Sequence, residues 1–261
     1  MTGPALTKGE LRRQQILQFI KQKGRITIQE IIENFDCSEA TARRDLDLLD
    51  KQGAIIRTIG GALFEGMNSV REVPFAEKKQ QLWLEKEKIA RKAVEWIEEG
   101  DSVCLTGGTT TFLIARELKQ MQGVTVVTNA VNIAMELADS DGIQVVVVGG
   151  VMRSKSYELS GPLAEKTIEH LNIEKLFIGI DGISIEQGIS TYSELEAQTA
   201  KMLMARTKRT IAVFDHTKVG KASLFSIAPL TELHACLTDT RMDAAMEAEL
   251  DRHGITVAYA L

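Results

Sequence analysis

Short apolar runs, each followed by small or polar residues, constrain the fold of this 261-residue chain more than any other feature. Six runs occur, and most are followed by a helical pattern: Val103–Leu105, Val124–Val127, Val145–Val148, Leu176–Ile180, Ile211–Phe214 and Ala235–Leu237. Fully apolar runs are typical of strands buried on both faces, and their alternation with helices predicts βαβ units. The sequence therefore predicts an α/β domain with a mainly parallel, doubly wound sheet that carries helices on both faces.

The residues that follow these runs are the candidate ligand-binding residues, because ligands of such sheets bind beyond the carboxyl ends of the strands. Most are small or polar, and they predict one pocket built from Thr106, Gly107, Gly108, Thr109, Thr110, Thr111, Thr128, Asn129, Gly149, Gly150, Asp181, Gly182, Asp215–Lys218, Thr238 and Asp239. The turn at 107–111 opens a helix, so its amides and hydroxyls can hold an anion, and Lys218 adds a positive charge. Asp181, Asp239 and Asn129 can bind hydroxyl groups, so the set fits a phosphorylated sugar or polyol. Each residue taken alone is also an ordinary turn or cap residue, and that interpretation stays open.

The first sixty residues have the pattern of a small helical unit that ends in a hairpin. Two pairs have the spacing of capping boxes, Thr7 with Glu10 and Thr27 with Glu30, and Ser38 can cap a third helix. Two short apolar runs then flank Gly60-Gly61, as in a β-hairpin. This outline predicts a winged helix-turn-helix over residues 1–62.

The third predicted helix has an apolar face and an arginine-bearing face. At 100° per residue, Ala42, Leu46 and Leu49 share the buried side, Arg44 lies opposite with Ala40 and Thr41, and Arg43 lies on the flank. This face suits the major groove, with Arg44 reading bases and Arg43 holding the DNA backbone. Further phosphate contacts are expected from Thr27, Ser38 and Arg57. Alternatively, the two arginines only solvate the helix or pair with Asp47 or Asp50.

The net charge of −5 hides a difference between the two parts of the chain. Residues 1–62 hold 10 Lys+Arg against 8 Asp+Glu, whereas residues 63–261 hold 21 against 28. A basic part within an acidic chain is compatible with nucleic-acid binding. No run of about 18 apolar residues is present, so we expect no membrane contact. Since no secretory signal is visible, we expect a cytoplasmic location. Three widely spaced cysteines predict neither disulfides nor a zinc site, and no cofactor or metal is expected.

Residues 12–62 resemble the DNA-binding domain of the DeoR family of bacterial sugar-responsive regulators. The resemblance rests on Ser38, Thr41–Leu46, Leu49, Gly53, Arg57 and Gly60–Ala62. It implies that Thr41 and Gly61 belong to the DNA-binding surface with the residues named above. Two positions depart from the family pattern: Ala42 replaces a larger β-branched residue, and Ile59 replaces a frequent His.

The resemblance extends through the second half, at Gly108–Thr111, Thr128-Asn129, Gly149-Gly150, Gly161-Pro162, Asp181-Gly182, Gly188, Glu196, Lys201, Asp215–Lys218 and Gly220-Lys221. It implies an effector domain similar in fold to ribose-5-phosphate isomerase, with Glu196 in the sugar-phosphate site. Thr106 stands where the family usually has Asp, which removes one carboxylate from that site.

Together with this resemblance, the sequence predicts a transcriptional regulator that represses sugar-metabolism genes. It is expected to bind operator DNA as a dimer or tetramer under control of a phosphorylated sugar. The predicted domains are residues 1–62, a linker over 63–80, and an effector domain over 81–261. The charged stretch Glu85–Lys88 is interpreted as a solvated helix face. The alternative is a sugar-phosphate isomerase with a DNA-binding appendage, because Asp181-Gly182 resembles the start of the isomerase acidic motif; residues 183–186 do not keep its further acids.

Overall fold

The computed structural model describes residues 7–23, 25–51, 55–58, 60–64 and 73–261. The chain divides into two compact units, residues 1–70 and 71–261. Gly53 and Ile59, which were named in the sequence comparison, lie outside the described residues.

The described part of the first unit has the predicted order of helices followed by a hairpin. Its elements are α1 (Lys8–Lys23), β1 (Arg25–Thr27), α2 (Ile28–Phe35), α3 (Glu39–Lys51), β2 (Ile55–Thr58) and β3 (Gly61–Phe64). Both predicted capping boxes are present, since the Thr7 and Thr27 hydroxyls accept from the amides of Glu10 and Glu30 at 3.3 and 3.1 Å. Ile16, Ile20, Ile26, Ile31 and Leu46 form the centre of the core.

The hairpin is one strand larger than the sequence pattern predicts. β1 pairs with β3, which makes a three-stranded antiparallel sheet in the order β1-β3-β2. With only three residues, β1 is too short to show an alternating pattern. Gly61 lies at the crossing of β1 and β3, where a Cβ atom would stand 2.0 Å from the carbonyl oxygen of Ile26. The close approach of two backbones therefore explains a glycine here.

The second unit is built on a seven-stranded parallel sheet, as residues 73–261 show. The strand order is β15-β14-β12-β9-β4-β5-β6. The elements of this unit are α4 (Phe75–Lys78), α5 (Trp83–Val94), β4 (Ser102–Leu105), α6 (Thr109–Leu118), β5 (Val124–Thr128), α7 (Val131–Leu137), β6 (Ile143–Val147), β7 (Val151–Met152), β8 (Leu159–Ser160), α8 (Pro162–Ile168), β9 (Ile173–Gly179), β10 (Gly182–Ser184), β11 (Gly188–Thr191), α9 (Glu194–Ala205), β12 (Thr207–Val213), β13 (Phe225–Ala228), β14 (Ala235–Thr238), α10 (Ala244–Arg252) and β15 (Thr256–Tyr259).

The sheet is doubly wound, as predicted. Alternate residues of β4 enter different cores: Cys104 packs with α8, α9 and α10 on one face, and Val103 and Leu105 pack with α5, α6 and α7 on the other. Each of the six predicted apolar runs forms a strand of this sheet. The ribbon β7-β8, the small sheet β10-β11-β13 and the edge strand β15 were not predicted, because they are short and only partly apolar.

Residues 73–82, which we call the entry segment, fold as part of the second unit. They contain α4, and the Phe75 ring is buried against Phe112 and Tyr157 at centroid distances of 5.5 Å each. Most of this segment falls within the predicted linker over 63–80, whose residues 65–72 lie outside the described part. The interpretation of Glu85–Lys88 as a solvated face is wrong for Lys86, which is buried. No helix of the described residues is long and apolar enough to cross a membrane.

Candidate functional site

The exposed side of α3 is the candidate DNA-binding surface of the first unit. Ala42, Leu46 and Leu49 are buried, which confirms the predicted inner face of this helix. Arg43 and Arg44 are exposed on the other sides. The Arg43 guanidinium pairs with Glu39, one turn earlier, at 2.6 Å, whereas Arg44 forms no ion pair with any side chain that the structure describes. Arg44 is therefore available to a ligand.

The predicted polar residues at the start of α3 lie beside this arginine pair. The Ser38 hydroxyl accepts from the Thr41 amide at 3.3 Å and lies 2.9 Å from the Thr41 hydroxyl. Thr27 caps α2 with an exposed side chain. Arg57 lies in β2, and its side chain is outside the described part. Ser38, Thr41, Arg43 and Arg44 are thus adjacent on one helix.

A buried ion-pair cluster fixes the orientation of α3, and sequence reasoning did not assign it a role. Asp45, whose side chain is 4% exposed, accepts from Arg12 at 2.6 Å and from Arg13 at 3.2 Å, and both arginines lie on α1. A buried carboxylate needs such partners, because an unpaired charge is costly in the interior. Asp45 therefore ties the exposed face of α3 to the body of the unit.

A cavity of about 310 Å³ lies at the carboxyl ends of three neighbouring strands of the second unit, β4, β9 and β12. This volume is typical of small-molecule sites. The lining comes from Gly107–Thr110 after β4, Gly179–Asp181 at the end of β9, and Val213–Asp215, Thr217 and Lys218 after β12, completed by Lys78, Gln81, Leu82, Lys86 and Glu196. The structure therefore brings together nine predicted residues: Gly107, Gly108, Thr109, Thr110, Asp181, Glu196, Asp215, Thr217 and Lys218.

One wall of the cavity is suited to an anion. The first turn of α6 begins at Thr109 after Gly108, which has φ +139°. The first amides of a helix have no partner within it, and the helix dipole places partial positive charge there. Lys218 and Lys86 line the same cavity. Burial lowers the pKa of Lys86, while the nearby Asp215 carboxylate, at 3.9 Å, opposes that shift.

Asp181 lies between two lysines in the cavity wall. Its Oδ1 is 2.6 Å from the Lys78 Nζ and 3.7 Å from the Lys218 Nζ, and its Oδ2 accepts from the Thr191 hydroxyl at 3.3 Å. Burial alone would raise the pKa of Asp181, but the charges of Lys78 and Lys218 outweigh it and lower that pKa. Asp181 is therefore an ionised acceptor for a lysine or a hydroxyl group.

Two carboxyl groups, the buried Glu158 and the partly buried Glu196, form the inner end of the site. Arg153 Nη1 lies 3.4 Å from Glu158 and 3.2 Å from Glu196. Burial, together with the charges of Glu158 and Asp181, raises the pKa of Glu196 to about 8. Burial also raises the pKa of Glu158. Glu196 therefore takes up a proton at higher pH than an exposed glutamate does, and in the protonated form its carboxyl group can donate a hydrogen bond.

Behind this pair lies a small cavity lined by Thr106, Asn129, Glu158 and Glu196 among others. The Asn129 Oδ1 is buried and has no hydrogen-bond partner among the described residues. The Thr106 hydroxyl accepts from the Gly179 amide at 3.0 Å, so it joins the ends of β4 and β9. Asn129 therefore lies next to the two carboxyl groups, on the side away from the main cavity.

The other predicted site residues have positions away from the main cavity lining. Thr111 is buried and donates to the Gly108 carbonyl at 3.1 Å, and Thr128 donates to the Leu105 carbonyl at 2.7 Å. At Gly150 and Gly182 a Cβ atom would stand 2.7 and 2.5 Å from the backbone oxygens of Ser160 and Lys221. Gly149 lies beside Gly150, beyond the end of β6. Four of these five positions therefore have local structural roles, and Gly149 is the chain neighbour of one of them.

Asp239 is engaged with the loop that follows β12. It accepts from the backbone amide of His216 at 2.7 Å and lies 2.7 Å from the His216 Nδ1. The pair holds the start of the turn that carries Lys218. Asp239 therefore positions the turn that carries Lys218 without lining the cavity itself.

Sequence reasoning missed Lys78, Lys86, Arg153 and Glu158. Lys78 lies in the predicted linker and Lys86 in the stretch interpreted as a solvated face, whereas no role was predicted for Arg153 or Glu158. The usable signal was the pair Pro74-Phe75. An aromatic residue directly after a proline, at the start of a short charged helix, indicates a segment that is anchored to a core. That signal would have moved residues 75–80 out of the linker.

Comparison with known proteins now decides the family. Residues 83–240 match the family described as the DeoR C terminal sensor domain, and residues 12–66 match the DeoR-like helix-turn-helix domain. The chain belongs to the DeoR family. This DeoR-family protein is 33% identical to the putative aga operon transcriptional repressor of Escherichia coli O157:H7, over 94% of this chain and 92% of the relative. It is 32% identical to the lactose phosphotransferase system repressor of Streptococcus mutans, over 91% of this chain and 95% of the relative.

The DeoR-family chain is therefore a DNA-binding transcriptional regulator, as predicted, and the isomerase alternative is not retained. The ribose 5-phosphate isomerase of Methanocaldococcus jannaschii superposes with a TM-score of 0.39 at 16% identity, over 51% of this chain and 53% of the isomerase.

Proposed function

We propose that this protein represses sugar-metabolism genes and that a phosphorylated sugar, bound in the cavity of the second unit, controls its affinity for operator DNA. The observation that carries the proposal is the composition of that cavity. Lysines and a helix N-terminus lie in the same cavity as the ionised Asp181 and as Glu196, whose carboxyl group has a raised pKa. We assign DNA binding to residues 1–62, the connection to 63–72, which is shorter than the predicted 63–80 because Lys78 lines the cavity, and effector binding to 73–261, in the cytoplasm.

The phosphate group is expected at the start of α6. The amides of Thr109 and Thr110 and the charge of Lys218 supply donors and positive charge for a phosphate dianion. Lys218 stands 3.7 Å from Asp181, so its ammonium group is only loosely paired before a ligand arrives.

The sugar hydroxyls are expected toward Asp181, Glu196 and the buried Asn129. Asp181 accepts hydrogen bonds, whereas protonated Glu196 donates one. The unpartnered Oδ1 of Asn129 offers a further acceptor. This division of donors and acceptors suits a polyol, whose hydroxyl groups can do both.

On the DNA side, we propose that Arg44 reads bases and that Arg43, Ser38, Thr41 and Thr27 hold the phosphate backbone, with Arg57 and Gly61 in the hairpin. A homo-oligomer, dimer or tetramer, would place two such helices on symmetric half-sites.

The effector can change operator affinity only if it binds the DNA-competent and DNA-incompetent states with different affinity. We propose that it favours the incompetent state and so relieves repression.

The testing experiment is thermal unfolding of the intact protein with a panel of sugar phosphates, each paired with its free sugar. Ligand at about 100 times its Kd should add about 2.7 kcal/mol of stability. A shift with a phosphosugar and none with the free sugar is expected. If every phosphosugar leaves unfolding unchanged, the effector assignment is wrong.

Lys218→Ala identifies the site. Its expected effect is a loss of about 1.5–3 kcal/mol of phosphosugar binding, the usual contribution of a charge-assisted hydrogen bond. Lys201→Ala, which removes an exposed lysine of α9, is the matched control. DNA binding should be unchanged in both variants, as measured on a duplex selected from random-sequence DNA by the wild-type protein (the selected duplex).

A further inference from the structure

The entry segment is fastened to the walls of the effector cavity by the cavity's own lysines. Of the three lysines that line this cavity in the described chain, Lys78 belongs to the segment, Lys86 binds the backbone of the segment, and Lys218 follows β12. An anion that enters the cavity meets these same ammonium groups. That this anion is the effector rests on the proposed function of this cavity.

Lys78 holds the segment from within the cavity. Its Nζ lies 2.6 Å from Asp181 Oδ1, across more than a hundred positions of sequence. Burial would lower the pKa of Lys78, but the charge of Asp181 and the hydrogen bond to its carboxylate outweigh burial and raise that pKa. The Lys78 ammonium group is therefore charged, and Asp181 is its direct partner.

Lys86 holds the same segment through its backbone. Its buried Nζ donates to the carbonyl oxygens of Gln81 at 2.7 Å and Lys78 at 3.2 Å. Leu82, which directly follows Gln81, has φ +49°, in the left-handed region that non-glycine residues rarely occupy. Such a conformation persists when surrounding contacts maintain it. The turn at 78–82 thus depends on the charges in the cavity.

The beginning of the segment is anchored to the anion-binding wall. Phe75 packs on Phe112, which lies in α6 close after the threonines of the cavity, and its amide donates to the Lys155 carbonyl at 2.8 Å. In sequence, residues 65–72 are all that separates this segment from β3 of the DNA-binding unit.

We propose that Lys78 is the residue through which effector binding is reported to the DNA-binding unit. A phosphorylated sugar competes with the Lys78–Asp181 pair: its phosphate attracts Lys78, and its hydroxyl groups occupy Asp181. Loss of this pair releases the turn at 78–82, and the released entry segment no longer holds the preceding chain in the DNA-competent arrangement. No covalent step is involved.

Lys78→Met tests the proposal because it removes the ammonium group and keeps an unbranched side chain. Without any ligand, this variant should bind the selected duplex about 5–150-fold more weakly than wild type, the usual range of an allosteric coupling. Addition of the phosphosugar should weaken DNA binding little further. The phosphosugar itself should still stabilise the variant, since Lys218, Lys86 and α6 remain.

Lys79→Met is the matched control. Lys79 is the next residue, is exposed, and lies over the Trp83 and Phe112 rings at 5.4 and 5.7 Å instead of pairing with Asp181. The Lys79→Met variant should bind DNA, and release it on addition of phosphosugar, as wild type does. Asp181→Asn, which removes the partner of Lys78, should show the same ligand-free loss of DNA affinity as Lys78→Met.

The outcomes separate this proposal from the proposed function. Wild-type DNA affinity and wild-type release in Lys78→Met would overturn the role of Lys78 while leaving the effector site intact. Loss of phosphosugar binding, with unchanged ligand-free DNA affinity, would reduce Lys78 to a binding residue and equally overturn it. If no phosphosugar binds wild type, the proposed function fails, and the ligand-free DNA affinity of Lys78→Met still decides whether the segment controls the DNA-binding unit.

Hydrogen exchange of the intact protein tests whether the entry segment is released, which loss of the Lys78 contact alone would not show. The amides of residues 78–81 donate to backbone carbonyls within the segment. Phosphosugar should speed their exchange in wild type, and Lys78→Met should exchange fast without it. Slower or unchanged exchange of these amides on ligand binding would contradict release of the segment.

Discussion

Arg44 and Arg43 differ in what surrounds them, and the difference assigns them different work on DNA. Arg43 shares an ion pair with Glu39, whereas Arg44 is exposed and has no such partner in the described residues. A guanidinium without a partner can take the two acceptors of a guanine edge in a fixed geometry. The pair therefore offers a test in which two neighbouring arginines give different results.

Arg44→Ala should weaken binding to the selected duplex by about 1–3 kcal/mol and relax base preference at one position of each half-site. Arg43→Ala should weaken binding to all sequences alike and reduce the slope of log affinity against log salt by about one. Titrations at several salt concentrations measure both effects. Arg206→Ala, an exposed arginine of the second unit, is the control. Unchanged sequence preference in Arg44→Ala would remove this residue from base reading.

Glu196 makes the stability of the second unit depend on pH. Its pKa is raised from 4.5 to about 8 by burial and by Glu158 and Asp181, so the folded state holds a proton that the unfolded state loses. The stabilisation is complete below about pH 4.5 and is lost as pH rises through about 8.

Glu196→Gln should therefore flatten the fall in unfolding free energy between pH 5 and 8, by up to about 1.4 kcal/mol per pH unit. Urea unfolding followed by fluorescence measures it, because both tryptophans, Trp83 and Trp96, lie in the second unit. Glu194→Gln, at an exposed position of α9, should keep the wild-type slope. Equal slopes in wild type and Glu196→Gln would mean that Glu196 is ionised throughout.

Among the elements, the strands of the large sheet were predictable and the residues that complete the cavity were not. A strand such as β4 is apolar on both faces because two cores cover it. Such a strand is visible in the sequence as a run of consecutive apolar residues. Lys78 pairs with Asp181, and Lys86 is buried beside Asp215 and the backbone carbonyls of the entry segment. Nothing in a charged run distinguishes a lysine that will meet such partners from one that stays in solvent.

The contact of β1 with β3 gives a prediction at the level of elements. Gly61→Ala places a Cβ atom 2.0 Å from the Ile26 carbonyl oxygen, so the strands must separate. A cost of about 1–3 kcal/mol is expected, as for other overpacked sites. Far-UV circular dichroism should show earlier unfolding of the first unit, while tryptophan fluorescence from the second unit stays unchanged.

Gly60→Ala is the control for this substitution. No atom lies within 4 Å of a Cβ at Gly60, and its backbone does not need positive φ. It should leave unfolding close to wild type. If Gly60→Ala and Gly61→Ala were equally destabilising, general loss of glycine flexibility, and not the β1–β3 contact, would be the cause.

At the scale of the whole molecule, the two ligands are linked by a thermodynamic requirement. The chain joins a DNA-binding unit to a sensor unit, and the proposed effector changes operator affinity by binding its two states unequally. The factor by which the effector changes DNA affinity must then equal the factor by which DNA changes effector affinity. This equality holds for any structural route between the units.

We therefore expect the phosphosugar to bind the protein more weakly when the selected duplex is bound, by the same factor as it weakens duplex binding. Calorimetric titration of phosphosugar into free and duplex-bound protein gives one ratio, and duplex titration with and without phosphosugar gives the other. Lys218→Ala should lower effector affinity in both states and leave the ratio near its wild-type value, whereas Lys78→Met should bring the ratio close to one. Equal phosphosugar affinity on and off DNA, measured at the same protein concentration, would mean by the same linkage that the phosphosugar does not change duplex affinity, and the proposed control of operator binding would be wrong.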